Sequence, residues 1–430
     1  MESDETPTRR GFLFPNLPAA GRSLAERQYL TGDWGGLRSG LRELGITPTL
    51  TFVTDVQGNP VGGLQQRLRE TDDLGLDITA NLERLVGWPG GLFGVSFSMR
   101  SGTNLSADVG NVFTVAQACC GHTYRLVDVY LEQSLNDHAV NIRVGRIAAG
   151  DDFLTSPLYL AFVQGAINGN PSGINFNVPV TAYPVATWGA RVLVKPAESL
   201  YVMAGAYNGD PSLGENAKHG VDWSMRGPLF TIGEVGYRHN HRRGATGLPG
   251  NYKLGGFYST GSFPDLFRDV QGGSAALSGL PPEIHQGNWG FYLLLDQKVY
   301  DDGGIGSARG LTPFVSLLFS PDQHINQLPF FANGGLVYQG PFPARPLDRA
   351  AVGVVYGAFS EELRRSQRDA RSVGTGVGLQ SYELVLELTY IFQATRWLQV
   401  QPDVQYIINP GGTGKIPNAL VVGFQLALNL

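Results

Sequence analysis

The chain has 430 residues, a net charge of −5 and a mean hydropathy of −0.07. That charge gives no basic footprint for nucleic acid, and the absence of any run of eighteen apolar residues excludes a helical membrane protein. A membrane β-barrel passes both tests, because its alternating faces average to neutral hydropathy.

After Met1, the stretch Glu2-Ser3-Asp4-Glu5 lacks the basic and apolar regions of a signal peptide. The chain therefore reads as a mature form with a poorly ordered tail over 1–21. Residues 22–45 read as helical. Asp33 is placed to cap a helix running to Leu44, with Leu37, Leu41 and Leu44 on one side. Gly35, Gly36 and Gly40 weaken it.

From Thr47 the alternation of apolar and polar residues predicts sixteen strands, near 47–57, 73–85, 91–101, 123–134, 138–147, 186–195, 199–208, 229–238, 250–260, 287–299, 310–320, 333–340, 349–360, 380–393, 396–408 and 419–430. Connections after odd-numbered strands are long. Those after even-numbered strands are mostly short, such as Leu135-Asn136-Asp137 and Ala394-Thr395. This is the pattern of an all-β, antiparallel, 16-stranded transmembrane barrel with short periplasmic turns and long extracellular loops. A propeller would repeat a blade motif of about forty residues, and none is found. An even count lets the last strand pair with the first, which leaves no edge. Residues 46–430 then form the barrel, and 22–45 form a periplasmic helical segment at its mouth.

The last fifty residues show the sidedness best. Leu384, Leu386, Leu388, Tyr390 and Phe392 share one parity, and Glu383, Glu387 and Thr389 share the other. Gln399, Gln401, Asp403 and Gln405 oppose Leu398, Val400, Val404 and Tyr406. These strands run about ten to fourteen residues against an ordinary five or six, and a tilted strand needs roughly nine to eleven to cross a bilayer.

Parity then selects inward candidates. Arg100 lies with Ser96 and Ser98; Asp128 and Glu132 oppose Val127, Val129 and Leu131; Arg143 lies with Asn141. Asp77, Asn81, Glu83, Glu234, Lys253, Glu383, Glu387 and Asp403 also fall on polar faces. An Arg or Lys facing lipid at the midplane would cost roughly 2–4 kcal/mol. Inside a barrel such charges either cross-pair to brace the wall or meet a permeating solute. Trp88, Trp188, Trp289 and Trp397 stand near strand ends, as an aromatic girdle does.

Catalytic motifs are lacking: the sequence has no Gly-X-Ser-X-Gly elbow, no Walker loop and no His-Glu-X-X-His. His239-Asn240-His241 beside Arg242 and Arg243 reads as a polar turn, so neither a metal nor a cofactor is expected. The adjacent Cys119-Cys120 could be bridged only with backbone distortion and is read as a loop feature.

Several blocks, in order, resemble the OprB family of carbohydrate-selective outer-membrane porins. They begin with Gly32-Asp33-Trp34-Gly35-Gly36-Leu37-Arg38 and continue through Gly87-Trp88-Pro89-Gly90-Gly91 and Tyr207-Asn208-Gly209-Asp210-Pro211. The most specific are Tyr382-Glu383-Leu384-Val385-Leu386-Glu387-Leu388-Thr389-Tyr390 and Gln401-Pro402-Asp403-Val404-Gln405-Tyr406. The resemblance implies a water-filled, sixteen-stranded barrel in the Gram-negative outer membrane that passes glucose and related sugars. It also implies that the 148–185 loop, with Asp151, Asp152 and Phe153 at its start, folds inward to constrict the pore.

A sugar is neutral and rich in hydroxyls, so a selective pore offers fixed donors and acceptors. The chain has 27 Arg and 5 Lys, and the Arg fork suits that task. Expected sugar contacts are Arg100, Asp128, Glu132, Arg143, Asp152, Glu383, Glu387 and Asp403. The implied partners are mono- or small oligosaccharides, outer-membrane lipid and lipopolysaccharide, and the barrel-assembly machinery at the C-terminal strand. The chain is expected as a monomer or small homo-oligomer. Rival readings are a general diffusion porin, a barrel enzyme and a plugged structural barrel. The family's usual aromatic terminus is replaced by Leu430.

Overall fold

A strand in a bilayer must pair every main-chain N–H and C=O, so alternating segments of this length are stable there only in a closed sheet. The computed structural model, which describes residues 23–118, 122–241, 245–304, 307–374 and 378–430, is such a sheet. The 1–21 tail and the Cys119-Cys120 pair lie outside the described residues. Sixteen strands make the wall. They are β1 (Ile46–Val61), β2 (Leu68–Asn81), β3 (Gly91–Gly102), β4 (Thr123–Leu135), β5 (Val140–Ile147), β6 (Thr187–Ala197), β7 (Leu200–Asn208) and β8 (Leu229–His239). They continue with β9 (Gly250–Asp269), β10 (Pro282–Gln297), β11 (Gly310–Phe319), β12 (Phe330–Gln339), β13 (Arg349–Ala358), β14 (Tyr382–Gln393), β15 (Leu398–Ile408) and β16 (Ala419–Asn429). Each pairs antiparallel with its neighbours in sequence, and β16 returns to β1 with Thr51 opposite Asn429. A two-residue strand, Tyr300–Asp301, extends the wall in the β10–β11 turn.

Sidedness follows parity. Leu388 is 58% exposed while Glu387 beside it is 2%. The outward belt continues through Phe97, Val144, Leu254, Val352, Val404 and Phe424. A soluble sandwich would bury these residues; here the buried parity is the polar one.

Part of the barrel interior is filled by the chain itself. Two connections, 103–122 and 148–185, supply buried apolar residues to the barrel interior. Leu105, Phe113, Phe153, Tyr159, Phe162 and Ile174 form one core with Tyr207, Phe230, Phe257, Tyr292, Phe314 and Phe331 on β7–β12. The charged interior is concentrated on β1–β6 and β14–β16, while β8–β12 set single polar groups, Glu234, Ser259, Asn288, Ser316 and Asn333, among the apolar ones. Close approach is the reason for glycine at two places: a Cβ on Gly173 would lie 2.3 Å from the Phe331 ring, and one on Gly353 would lie 2.6 Å from Phe162.

Local chemistry also shifts some boundaries. β2 stops at Asn81, whose side chain accepts from the Arg84 N–H at 3.0 Å and caps a short helix, Leu82–Val86. Glu83 is therefore exposed on that helix and not on a lumen face. The β9–β10 hairpin runs well past its expected ends, to Asp269 and from Pro282. The β13–β14 connection carries a helix, Glu361–Ser372, capped by Ser360. In the N-terminal segment only Leu37–Glu43 is α-helical, because Gly35 (φ 70°) and Gly36 (φ 100°) break the turn before it. Leu37 and Leu44 are exposed, and the residue this helix buries is Arg38.

Candidate functional site

The polar wall of β2–β6 faces the inward loop. Near its extracellular end, Arg100 on β3 pairs with Asp73 on β2 at 3.3 Å and donates to the Gln117 side chain at 3.1 Å. Tyr183, from the end of the inward loop, donates to Asp73 at 2.8 Å and lies under the Arg100 guanidinium, 5.3 Å from its ring centroid. Arg125 on β4 donates to the Gly214 carbonyl at 2.9 Å and to Asn216 at 3.0 Å. Its Nε and Nη1 have no hydrogen-bond partner among the described residues. Arg100, Gln117, Arg125, Asn168, Asn170 and Tyr183 line a cavity of about 530 Å³. That is within the small-ligand range of roughly 300–1,000 Å³.

Further along the wall lies an ion cluster. Arg143 on β5 donates through Nε to Glu132 on β4 at 2.6 Å and approaches Asp152 at 3.3 Å. Arg191 on β6 contacts Asp152 at 2.8 Å and Glu132 at 3.8 Å. Asn141 donates to Glu132 at 2.8 Å, and Arg143 also sits over the Tyr130 ring at 4.7 Å. Burial raises the Asp152 carboxyl, yet Arg143 and Arg191 outweigh it and hold the group below its ordinary value. Glu132 also lines a second cavity, about 460 Å³, among the short turns at Asn81, Pro89 and His138. Gly150, two residues before Asp152, is bonded to Thr181 and Asn170 of the first cavity. The cluster thus lies between the two cavities. Asp128 is close by, buried and accepting from the Ala148 N–H at 3.2 Å.

Glu383, Glu387 and Asp403 are buried on the opposite wall, where their acceptors hold the infolded loops. Glu383 takes the N–H groups of Val112 at 2.8 Å, Phe113 at 2.8 Å and Gly411 at 2.7 Å. Glu387 takes those of Val163 at 2.6 Å and Gln164 at 3.2 Å. Asp403 accepts from Gln57 at 3.0 Å and Gln405 at 2.8 Å, and both glutamines also donate to the Val115 carbonyl. Of the eight expected residues, Glu132, Arg143 and Asp152 meet in one cluster, with Asp128 beside it. Arg100 lines the outer cavity, and the remaining three anchor loops.

Asp73, Arg125, Tyr183 and Arg191 were not foreseen. Arg191 and Asp73 carried the same alternation signal as their neighbours, with Val192 and Val194 outward. Arg125 was hidden by a bulge. Val95 pairs with Val129 but Phe97 pairs with Leu126, so β4 holds one extra residue there and its parity flips. Tyr183 lies on a loop, where parity has no meaning.

Residues 65–430 match the model of the carbohydrate-selective porin, OprB family. The chain belongs to the OprB family of porins. It is 32% identical over 420 residues to Porin B of Pseudomonas aeruginosa, covering 93% of this chain and 90% of that protein. The high-pH structure of Pseudomonas putida OprB superposes with a TM-score of 0.89 at 30% identity, covering 96% of this chain and all of that one. This OprB-family protein is accordingly a carbohydrate-selective porin of the Gram-negative outer membrane. Its short turns face the periplasm and its long loops the exterior, as in such barrels generally. The relatives it matches are porins.

Proposed function

We propose that this porin passes glucose and similar mono- or small oligosaccharides by passive diffusion along the β2–β6 wall, and that it catalyses no reaction. The observation that carries the reading is the bracketing of Arg143 and Arg191 between Glu132 and Asp152, with a cavity on either side. Guanidinium donors and carboxylate acceptors at one level can replace a sugar's hydration shell from two directions. Arg100, Arg125 and the Tyr183 ring make an earlier step, and Asp128 a neighbouring one. Weak steps in series let a solute both enter and leave. Glu383, Glu387 and Asp403 act by holding loops 103–122 and 148–185 in place, which makes 148–185 the constricting element. The 22–45 segment sits at the periplasmic mouth, and the apolar β16 is the natural signal for the barrel-assembly machinery. Subunits work as single pores, alone or in a small homo-oligomer.

The test is planar-bilayer conductance under added glucose. Sugar is expected to block ion current saturably, and Arg143→Ala or Arg191→Ala to weaken that block about tenfold. Current unaltered up to high glucose would mean a general diffusion porin of the same fold.

A further inference from the structure

We propose that the extracellular rim of this porin carries a zinc-class transition-metal site built from Asp265, His285, His324 and Glu283. Three segments converge to make it. β9 and β10 extend beyond the lipid-facing belt as a hairpin in which Phe263 is registered with His285 and Pro264 with Ile284. Glu283 and His285 are two apart on β10 and so project from one face, beside Asp265 on β9. The β11–β12 loop adds His324, fixed by a hydrogen bond of 2.7 Å from the Leu266 N–H to the His324 carbonyl.

The donor atoms of Asp265, Glu283 and His285 already gather in one place, and His324 adjoins them through Asp265. His285 Nε2 lies 2.9 Å from Asp265 Oδ2, and His324 Nδ1 lies 3.4 Å from that same oxygen. Ligand atoms of Asp265, Glu283 and His285 all fall within 4.8 Å of one another. Neighbouring ligands on a tetrahedral zinc with bonds of about 2.0–2.1 Å stand roughly 3.3 Å apart, which the two observed separations bracket.

Asp265 is oriented for the task. Its Oδ1 accepts the N–H groups of Phe267 at 2.8 Å and Arg268 at 2.7 Å, which leaves Oδ2 to face both imidazoles. The Asp265 side chain is fully buried, while the two imidazoles are about one-third exposed, at 29% and 33%. An ion can therefore enter from solvent onto a preset carboxylate. Two nitrogen donors with two carboxylates suit zinc and its neighbours. Calcium takes six to eight oxygens and is a poor match. A bound ion would tie the β9–β10 hairpin to the β11–β12 loop. Ser360, the cap of helix Glu361–Ser372, is bonded to that loop through the Gln323 carbonyl at 2.6 Å. The site would thus brace the outer mouth, away from the sugar path.

The experiment is calorimetric titration of ZnCl2 into the full-length, detergent-solubilised porin after chelator treatment, with barrel integrity checked by gel mobility before and after heating. One saturable zinc per chain is expected. His285→Ala and His324→Ala should each weaken it at least tenfold, the double variant should abolish it, and His122→Ala should leave it unchanged. Zinc should also raise the melting temperature of the wild-type protein, a readout that needs no variant. Absence of saturable uptake and of that rise by wild type overturns the proposal, as does undiminished binding in a folded double variant. Either result would leave His285 as a hydrogen-bond partner of Asp265 and His324 as its neighbour, with no ion between them.

Discussion

The Arg38 guanidinium donates to the main-chain oxygen of Leu430 at 2.7 Å, joining residues 392 positions apart in the chain. Arg38 is almost fully buried, between the rings of Tyr29 and Trp34 at 3.8 and 4.0 Å. The same seam is held by hydrogen bonds from Leu30 to Asn429 and from Leu430 to Leu50, each 2.8 Å. The N-terminal helix therefore clamps the strand that closes the barrel.

Arg38→Ala should destabilise the barrel by about 1.5–3 kcal/mol, the usual worth of a hydrogen bond to a charged group. The unfolding midpoint in denaturant measures this, and amide exchange should quicken at the β1–β16 seam. Sugar block should be unchanged. A variant that unfolds like the wild type but loses sugar block would place Arg38 in the path instead.

Glu383→Ala should release the loop that carries Val112 and Phe113. Three N–H groups, that of Phe113 buried and those of Val112 and Gly411 partly so, lose their acceptor, at roughly 1–3 kcal/mol for each one left unsatisfied and buried. Single-channel ion conductance is expected to rise and become noisy, and protease to cut between Leu105 and Gln117. Steady wild-type conductance with an uncut loop would deny Glu383 its anchoring role.

Arg143→Lys should restore little of what Arg143→Ala loses. Nε and Nη2 of Arg143 both reach Glu132 Oε2 at 2.6 Å, and a single ammonium cannot reproduce that fork while also serving Asp152. Glucose affinity in the current-block assay should stay about tenfold below wild type, close to 1.4 kcal/mol. Full rescue by lysine would show that charge alone suffices.

Asp348, in the β12–β13 turn, should give the barrel an acid-sensitive component. It accepts from Tyr390 at 2.6 Å and from the Gln393 N–H at 3.0 Å, and it pairs with Arg345. Burial raises its carboxyl, but Arg345, Tyr390 and Gln393 outweigh that and hold it below its ordinary 3.8. A group whose folded value is depressed stabilises above its unfolded value and loses that stability as pH falls through the folded one. The melting difference between wild type and Asp348→Asn should be constant from pH 7 to about 5 and should shrink below about pH 4. A gap that persists unchanged at pH 2 would contradict this.

What the sequence determined was which side of each ribbon meets lipid. Period-two alternation is a local property, so Leu388 outward and Glu387 inward could be read without any partner in view. The alternation of long and short connections determined the barrel topology for the same reason. Tertiary structure decided what each inward group does. Glu132 and Glu387 carry the same sequence signal, yet one joins Arg143 beside an open cavity and the other holds the Val163 N–H of a folded-in loop. Parity says only that a side chain points inward. Its partner is supplied by a segment tens to hundreds of residues away, and a single bulge at Leu126–Val129 is enough to turn Arg125 to the inner face. The convergence of Asp265, His285 and His324 is likewise a matter of three chain segments meeting, which no local pattern encodes.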